Sequence, residues 1–91
     1  MAQKKIIFTK TFVENFDKLP KKIKDKTIKQ LNMLFHNPEH PSLRIHKIKG
    51  TDNIWELRVD LRYRITFEKL SNGYLLRVIG KHDIIDKEKK K

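Results

Sequence analysis

The stretch from Ile54 to His82 constrains this chain more than any other. Ile54-Trp55-Glu56-Leu57-Arg58-Val59 and Arg62-Tyr63-Arg64-Ile65-Thr66-Phe67 alternate apolar with polar residues, the period-two pattern of half-buried strands. Trp55, Leu57 and Val59 share one face of the first strand, and Tyr63, Ile65 and Phe67 share one face of the second. The opposite face carries Glu56, Arg58, Arg62 and Arg64. A tight turn near Asp60-Leu61 joins the two strands. Asn72-Gly73 predicts a further hairpin, because both residues tolerate positive φ. Tyr74 to Ile79 is apolar on both faces, as an interior strand is, and it stops at Gly80-Lys81-His82-Asp83. A sheet surface with several arginines and a titratable histidine at its end suits a polyanion.

The remaining segments supply what such a sheet packs against. Lys5 to Thr9 reads as a short first strand with Ile6, Ile7 and Phe8 buried. Thr11-Phe12-Val13-Glu14 has the form of a capping box, after which Phe12, Phe16 and Leu19 fall on one helical face. Pro20 ends that helix or starts the next. From Lys21 to Phe35 the positions Ile23, Thr27 or Ile28, Leu31, Leu34 and Phe35 repeat near 3.6 residues, with Lys22, Lys26 and Lys29 on a solvated face. Asn37-Pro38 closes this helix. Leu43 to Ile48 reads as a strand that ends before Gly50. The order β-α-α-β-β-β-β implies an α+β fold, with two N-terminal helices packed on one face of a mainly antiparallel sheet. The other face, which holds the arginines, is expected to be exposed. Residues 1–86 are expected to form a single domain and residues 87–91 a charged tail.

Charge narrows the choice of partner. Twenty-two Lys and Arg against 11 Asp and Glu leave a formal net charge of +11 on 91 residues, so the partner is expected to be acidic: nucleic acid, an acidic protein or an anionic membrane. No apolar run approaches the ~20 residues that span a bilayer, and the apolar stretch after Met1 is too short for a signal peptide. There is no cysteine, hence no disulfide framework and no Cys-based zinc site. A cytoplasmic protein is the simplest reading. No cofactor motif is found, and no metal is expected. His36 and His40 have helical spacing, but Pro38 between them breaks the helix that would align them.

The segment His40-Pro41-Ser42-Leu43-Arg44-Ile45-His46-Lys47-Ile48-Lys49-Gly50, followed by Trp55-Glu56-Leu57-Arg58-Val59, Tyr63-Arg64-Ile65-Thr66-Phe67 and Ile79-Gly80-Lys81-His82-Asp83, resembles the RelE/ParE superfamily of toxins from type II toxin–antitoxin systems, and its RelE/YafQ-like members in particular. The resemblance implies a RelE-like fold and a toxin neutralised by a cognate acidic antitoxin. RelE-like and YafQ-like members are ribosome-dependent mRNA endoribonucleases, whereas ParE-like members poison DNA gyrase without cutting RNA. Arg64 matches the arginine that contacts the scissile phosphate in RelE-like toxins. His82 matches the catalytic histidine of YafQ-like and YoeB-like members, His46 the histidine of YafQ-like members, and Arg58 a basic residue of the catalytic face. Two positions depart from the pattern: Asp86 replaces a tyrosine, and Glu56 stands where RelE-like members can have a lysine.

Metal-free RNA cleavage needs a base for the 2′-hydroxyl, a cation for the charged phosphorane and an acid for the departing 5′-oxygen. With the resemblance, His82, Arg64, Arg58 and His46 are the candidate catalytic residues, and Lys47, Lys49, Arg62 and Lys81 are candidates for RNA binding on the ribosome. Without it, His82 is a surface histidine beside Asp83 and Arg64 an arginine on a solvated sheet face. Glu56 reads as a charge partner for Arg58 before it reads as a base. Trp55, Tyr63 and Phe67 read as core, not as base-stacking platforms. The rival functions are a gyrase-binding toxin and an inactive relative that binds only antitoxin or RNA.

Overall fold

A computed structural model describes residues 4–83; Asp86 and the charged tail lie outside the described residues. The chain runs β1 (Lys5–Phe8), α1 (Lys10–Asp17), α2 (Lys21–His36), a 3-10 turn (Pro41–Leu43), β2 (His46–Lys47), β3 (Trp55–Arg58), β4 (Tyr63–Leu70) and β5 (Gly73–Lys81). The five strands form one sheet in the order β1-β5-β4-β3-β2. β1 runs parallel to β5, and the other pairings are antiparallel. This is the α+β arrangement expected from the sequence.

The central hairpin is in the register that its alternation demands. Leu57 pairs with Ile65 and Trp55 with Phe67, while Arg58 pairs with Arg64 and Glu56 with Thr66. Leu57, Ile65 and Phe67 join Phe12 of α1 and Leu34 of α2 in the buried core, with Trp55 and Tyr63 packed against it. β5 contributes both Leu76 and Ile79 to that core. Three residues apart, they would face opposite sides of a regular strand. A bulge resolves this: Thr66 pairs with Val78 and Phe67 with Leu76, so Arg77 is the extra residue.

Local details differ from expectation in several places. Ile7 and Phe8 are 38% and 52% exposed, because β1 is an edge strand with a neighbour on one side only. The helix cap is Thr9, not Thr11: the Thr9 hydroxyl accepts from the Phe12 N–H and donates to the Leu76 carbonyl, at 3.2 and 2.7 Å. Helix start and sheet are thus tied through one side chain. Thr27 is buried and Ile28 is exposed; the Thr27 hydroxyl is satisfied by the Ile23 carbonyl. The β4–β5 hairpin forms, but its turn is Ser71-Asn72, since Leu70 already pairs with Gly73. Neither Asn72 nor Gly73 takes a positive φ. Gly73 is needed for another reason: a Cβ there would lie 1.9 Å from the backbone oxygen of Lys5 on β1.

The largest departure is the segment expected to be one strand from Leu43 to Ile48. Pro41 starts a 3-10 turn that is capped by the His40 ring, which accepts from the Ser42 N–H. Leu43 is fully buried, and Arg44 is left-handed at φ 46°, which breaks any extended run. Only His46 and Lys47 pair with β3.

A basic cleft as the candidate functional site

The face opposite the helices is a cleft and not the open surface that the alternation suggests. Glu56 and Thr66, side by side across β3 and β4, are 3% and 0% exposed. Arg44, His46, Glu56, Arg58, Arg64 and His82 line a cavity of about 360 Å³. Arg44 and His46 wall it on the β2 side, and His82 closes the end of β5, held by its N–H on the Arg62 carbonyl at 2.9 Å.

The floor is built around a buried carboxylate. Glu56 Oε1 is 3.6 Å from Arg64 Nε and 3.7 Å from His46 Nε2. Glu56 is therefore a charge partner, and its partners here include Arg64 and His46. Burying a carboxylate is costly unless cations and hydrogen bonds offset it. Arg64 Nη1 also donates to the backbone carbonyls of Asp60 and Tyr63. The guanidinium is thus fixed by its own hairpin before any ligand arrives. Arg58, directly across from Arg64, keeps its Nε buried without a hydrogen-bond partner among the described residues. Two arginines placed opposite each other repel, and an anion between them would relieve this.

Residues outside the cleft hold it in place. The buried Gln30 amide of α2 donates to the Arg58 carbonyl at 2.9 Å and to the Ser42 carbonyl at 3.3 Å. One helix side chain thereby ties β3 to the 3-10 turn. Asp60 Oδ1 accepts from the N–H groups of Arg62 and Tyr63, both at 2.9 Å, and Lys26 of α2 reaches Oδ2 at 3.4 Å. Desolvation pushes the Asp60 carboxyl upward, but these three donors together outweigh it and hold it below the ordinary carboxylate value.

The four residues expected to be catalytic, His46, Arg58, Arg64 and His82, all line this cleft. Arg62 and Lys81 line an adjoining depression that shares Arg64 and His82 with it. Lys47 and Lys49 are exposed and line neither; Lys47 pairs with Trp55, one step out of phase with His46. His46 is not buried: its side chain is 58% exposed. Sequence reasoning missed Arg44, Gln30 and the burial of Glu56. The one available signal was Gln30, a polar residue between Thr27 and Leu34 on the apolar repeat of α2. A separate groove of about 470 Å³ between β1, α1 and α2, lined by residues such as Phe8, Phe16 and Phe35, holds no ionisable group among its lining.

Comparison with known proteins agrees with this architecture. The family model for Phage derived protein Gp49-like (DUF891) matches residues 14–90. The fold is similar to that of YafQ from E. coli strain BL21(DE3), at 14% identity and a TM-score of 0.76, covering 91% of this chain and 98% of that one. It is also similar to a chain of the RelB-RelE antitoxin-toxin complex from Methanococcus jannaschii, at 24% identity and a TM-score of 0.73, covering 88% and 94%. YoeB from Staphylococcus aureus, whose structure is a dimer, matches at 18% identity and a TM-score of 0.69, covering 89% and 99%. Among curated proteins no sequence matches. The RelE-like fold implied by the sequence resemblance is the fold present.

Proposed function

Because this chain belongs to the phage derived Gp49-like family and carries the RelE/YafQ fold, we propose that it is the toxin of a type II toxin–antitoxin system and a ribosome-dependent mRNA endoribonuclease. The observation that carries this reading is the convergence of Arg44, Arg58 and Arg64 with two histidines in one cleft. Arg64 and Arg58 bind the scissile phosphate and stabilise the charge that grows on it, Arg64 through a guanidinium already fixed in direction. His46 and His82 stand on opposite sides as the proton acceptor and proton donor. The 2′-oxygen loses its proton and attacks phosphorus, and the bond to the 5′-oxygen breaks as that oxygen is protonated. The products are a 2′,3′-cyclic phosphate and a 5′-hydroxyl end. Arg62 and Lys81, beside the cleft, suit the flanking phosphates.

The partner that restrains such a toxin is an acidic antitoxin, as the +11 charge favours; structures of similar fold include RelB-RelE and DinJ-YafQ complexes. The test is to map mRNA ends in a translating extract. Codon-phased cuts with 5′-hydroxyl ends are expected from the wild type. Arg64→Ala and His82→Ala should each slow cleavage by roughly 10²- to 10³-fold. Intact mRNA together with inhibited supercoiling would instead select a gyrase-binding toxin.

A further inference from the structure

His46 is only loosely constrained by packing, since its side chain is 58% exposed. Each ring nitrogen nevertheless has an oxygen near it. Nδ1 lies 3.1 Å from the Arg44 carbonyl oxygen. A carbonyl can only accept, so Nδ1 carries a hydrogen in both protonation states of the ring. Nε2 is then the nitrogen that gains and loses a proton. It lies 3.7 Å from Glu56 Oε1, which is itself 3.6 Å from Arg64 Nε.

We propose that the Arg44 carbonyl and the Glu56 carboxylate form a clamp for the His46 imidazolium: the carbonyl fixes the neutral ring as the Nδ1–H tautomer and leaves Nε2 as the base facing the cleft, and the carboxylate stabilises the ring once Nε2 is protonated. This rests on the nuclease reading for its use but not for its geometry. Both jaws are set by the fold. Arg44 presents its carbonyl from the left-handed region, at φ 46° and ψ 47°, a conformation that is strained for a non-glycine residue. Such strain persists where the surroundings over-determine it. Here Leu43 is fully buried just before it, Gln30 holds the Ser42 carbonyl, and the Arg44 N–H donates to the Pro41 carbonyl. Glu56 is placed opposite His46 by strand register and is 3% exposed.

The charged and titratable groups sharing the cleft with the ring are Arg44, Glu56 and Arg58, with Arg64 on β4 and His82 beyond β5. When Nε2 takes the proton of the 2′-hydroxyl, the resulting imidazolium has an acceptor for each N–H: the Arg44 carbonyl and Glu56. Arg44 and Glu56 are positioning residues in this scheme.

The first measurement needs no substrate. Ring-nitrogen NMR of the histidine-labelled full chain, in alkaline buffer, should show His46 as the Nδ1–H tautomer. An Nε2–H tautomer overturns the clamp, whether or not the protein cuts RNA. The second measurement uses cleavage. Glu56→Gln should lower kcat by about 10- to 100-fold in the wild-type background and by less than about 3-fold in a His46→Gln background. Losses that multiply would mean that Glu56 does not act through His46, and would also overturn the clamp. If the wild type cuts no mRNA, the nuclease reading fails while the tautomer still decides the clamp.

Discussion

The two faces of the β3–β4 hairpin use alternate residues of the same strands, and both are partly buried, yet they are held by opposite physics. On the helix side Leu57, Ile65 and Phe67 are fully buried against Phe12 and Leu34. Their burial removes apolar surface from water and stabilises the fold. On the cleft side Glu56 and Thr66 are just as inaccessible, but Glu56 is a charge beside Arg64 and His46. Burying it contributes little or nothing to net stability. Inaccessibility therefore does not separate core from site in this domain; the sign of the energetic contribution does. The helix face should fail by unfolding, and the cleft face by losing function while the fold remains.

The sharpest way to break that contrast is on the helix face. Phe67→Ala removes a fully buried ring that contacts Tyr74 at 5.5 Å between centroids. It should cost about 3–5 kcal/mol, a large share of the stability of so small a domain. Urea unfolding at neutral pH measures it. A loss below about 1 kcal/mol would mean that the core does not reside on this face.

Gln30→Leu tests the link between the faces. The substitution keeps most of the volume but removes the donor to the Arg58 and Ser42 carbonyls. The expected cost is roughly 1–3 kcal/mol, the penalty for buried acceptors left unpaired. Because those carbonyls belong to the strand of Arg58 and to the turn before Arg44, the folded variant should also cleave more slowly. Full cleavage by a destabilised variant would show that the cleft holds its shape without α2.

What could be read in advance follows from how far each feature depends on its neighbours. The β3–β4 register was legible because a period-two pattern is a property of the local chain, and Trp55 to Phe67 keeps it unbroken. The bulge at Arg77 was not, since it exists only to bring Leu76 and Ile79 to the same side. The segment from Leu43 to Ile48 was misread as one strand because its shape is imposed from outside, by Gln30 and by the burial of Leu43. The same distance in sequence hid Arg44. Glu56 was visible as a residue of the basic face but not as a buried one, because a charged side chain carries no local sign that an arginine and a histidine will cover it. His46, Arg58, Arg64 and His82 could be picked out individually. That they meet in one cleft depends on β2 crossing to the far edge of the sheet.

The smallest expected effect concerns the turn that holds Arg64. Asp60 accepts two backbone N–H groups and the Lys26 ammonium, and in the folded protein its carboxyl lies below the ordinary value of 3.8. A depressed folded value means that the ionised form stabilises the native state above the unfolded value, and that this contribution is lost as pH falls through the folded one. Asp60→Asn keeps an oxygen for the two N–H groups and removes only the charge. The variant should be less stable than the wild type by no more than about 1 kcal/mol near neutrality, given a partner as exposed as Lys26. That difference should shrink as pH falls below 3.8. Thermal melts of both proteins between neutral pH and strong acid measure the gap directly. A gap that stays constant across the range would place the turn's stability in its hydrogen-bond geometry alone, and Arg64 would then be anchored by backbone carbonyls without help from the charge below them.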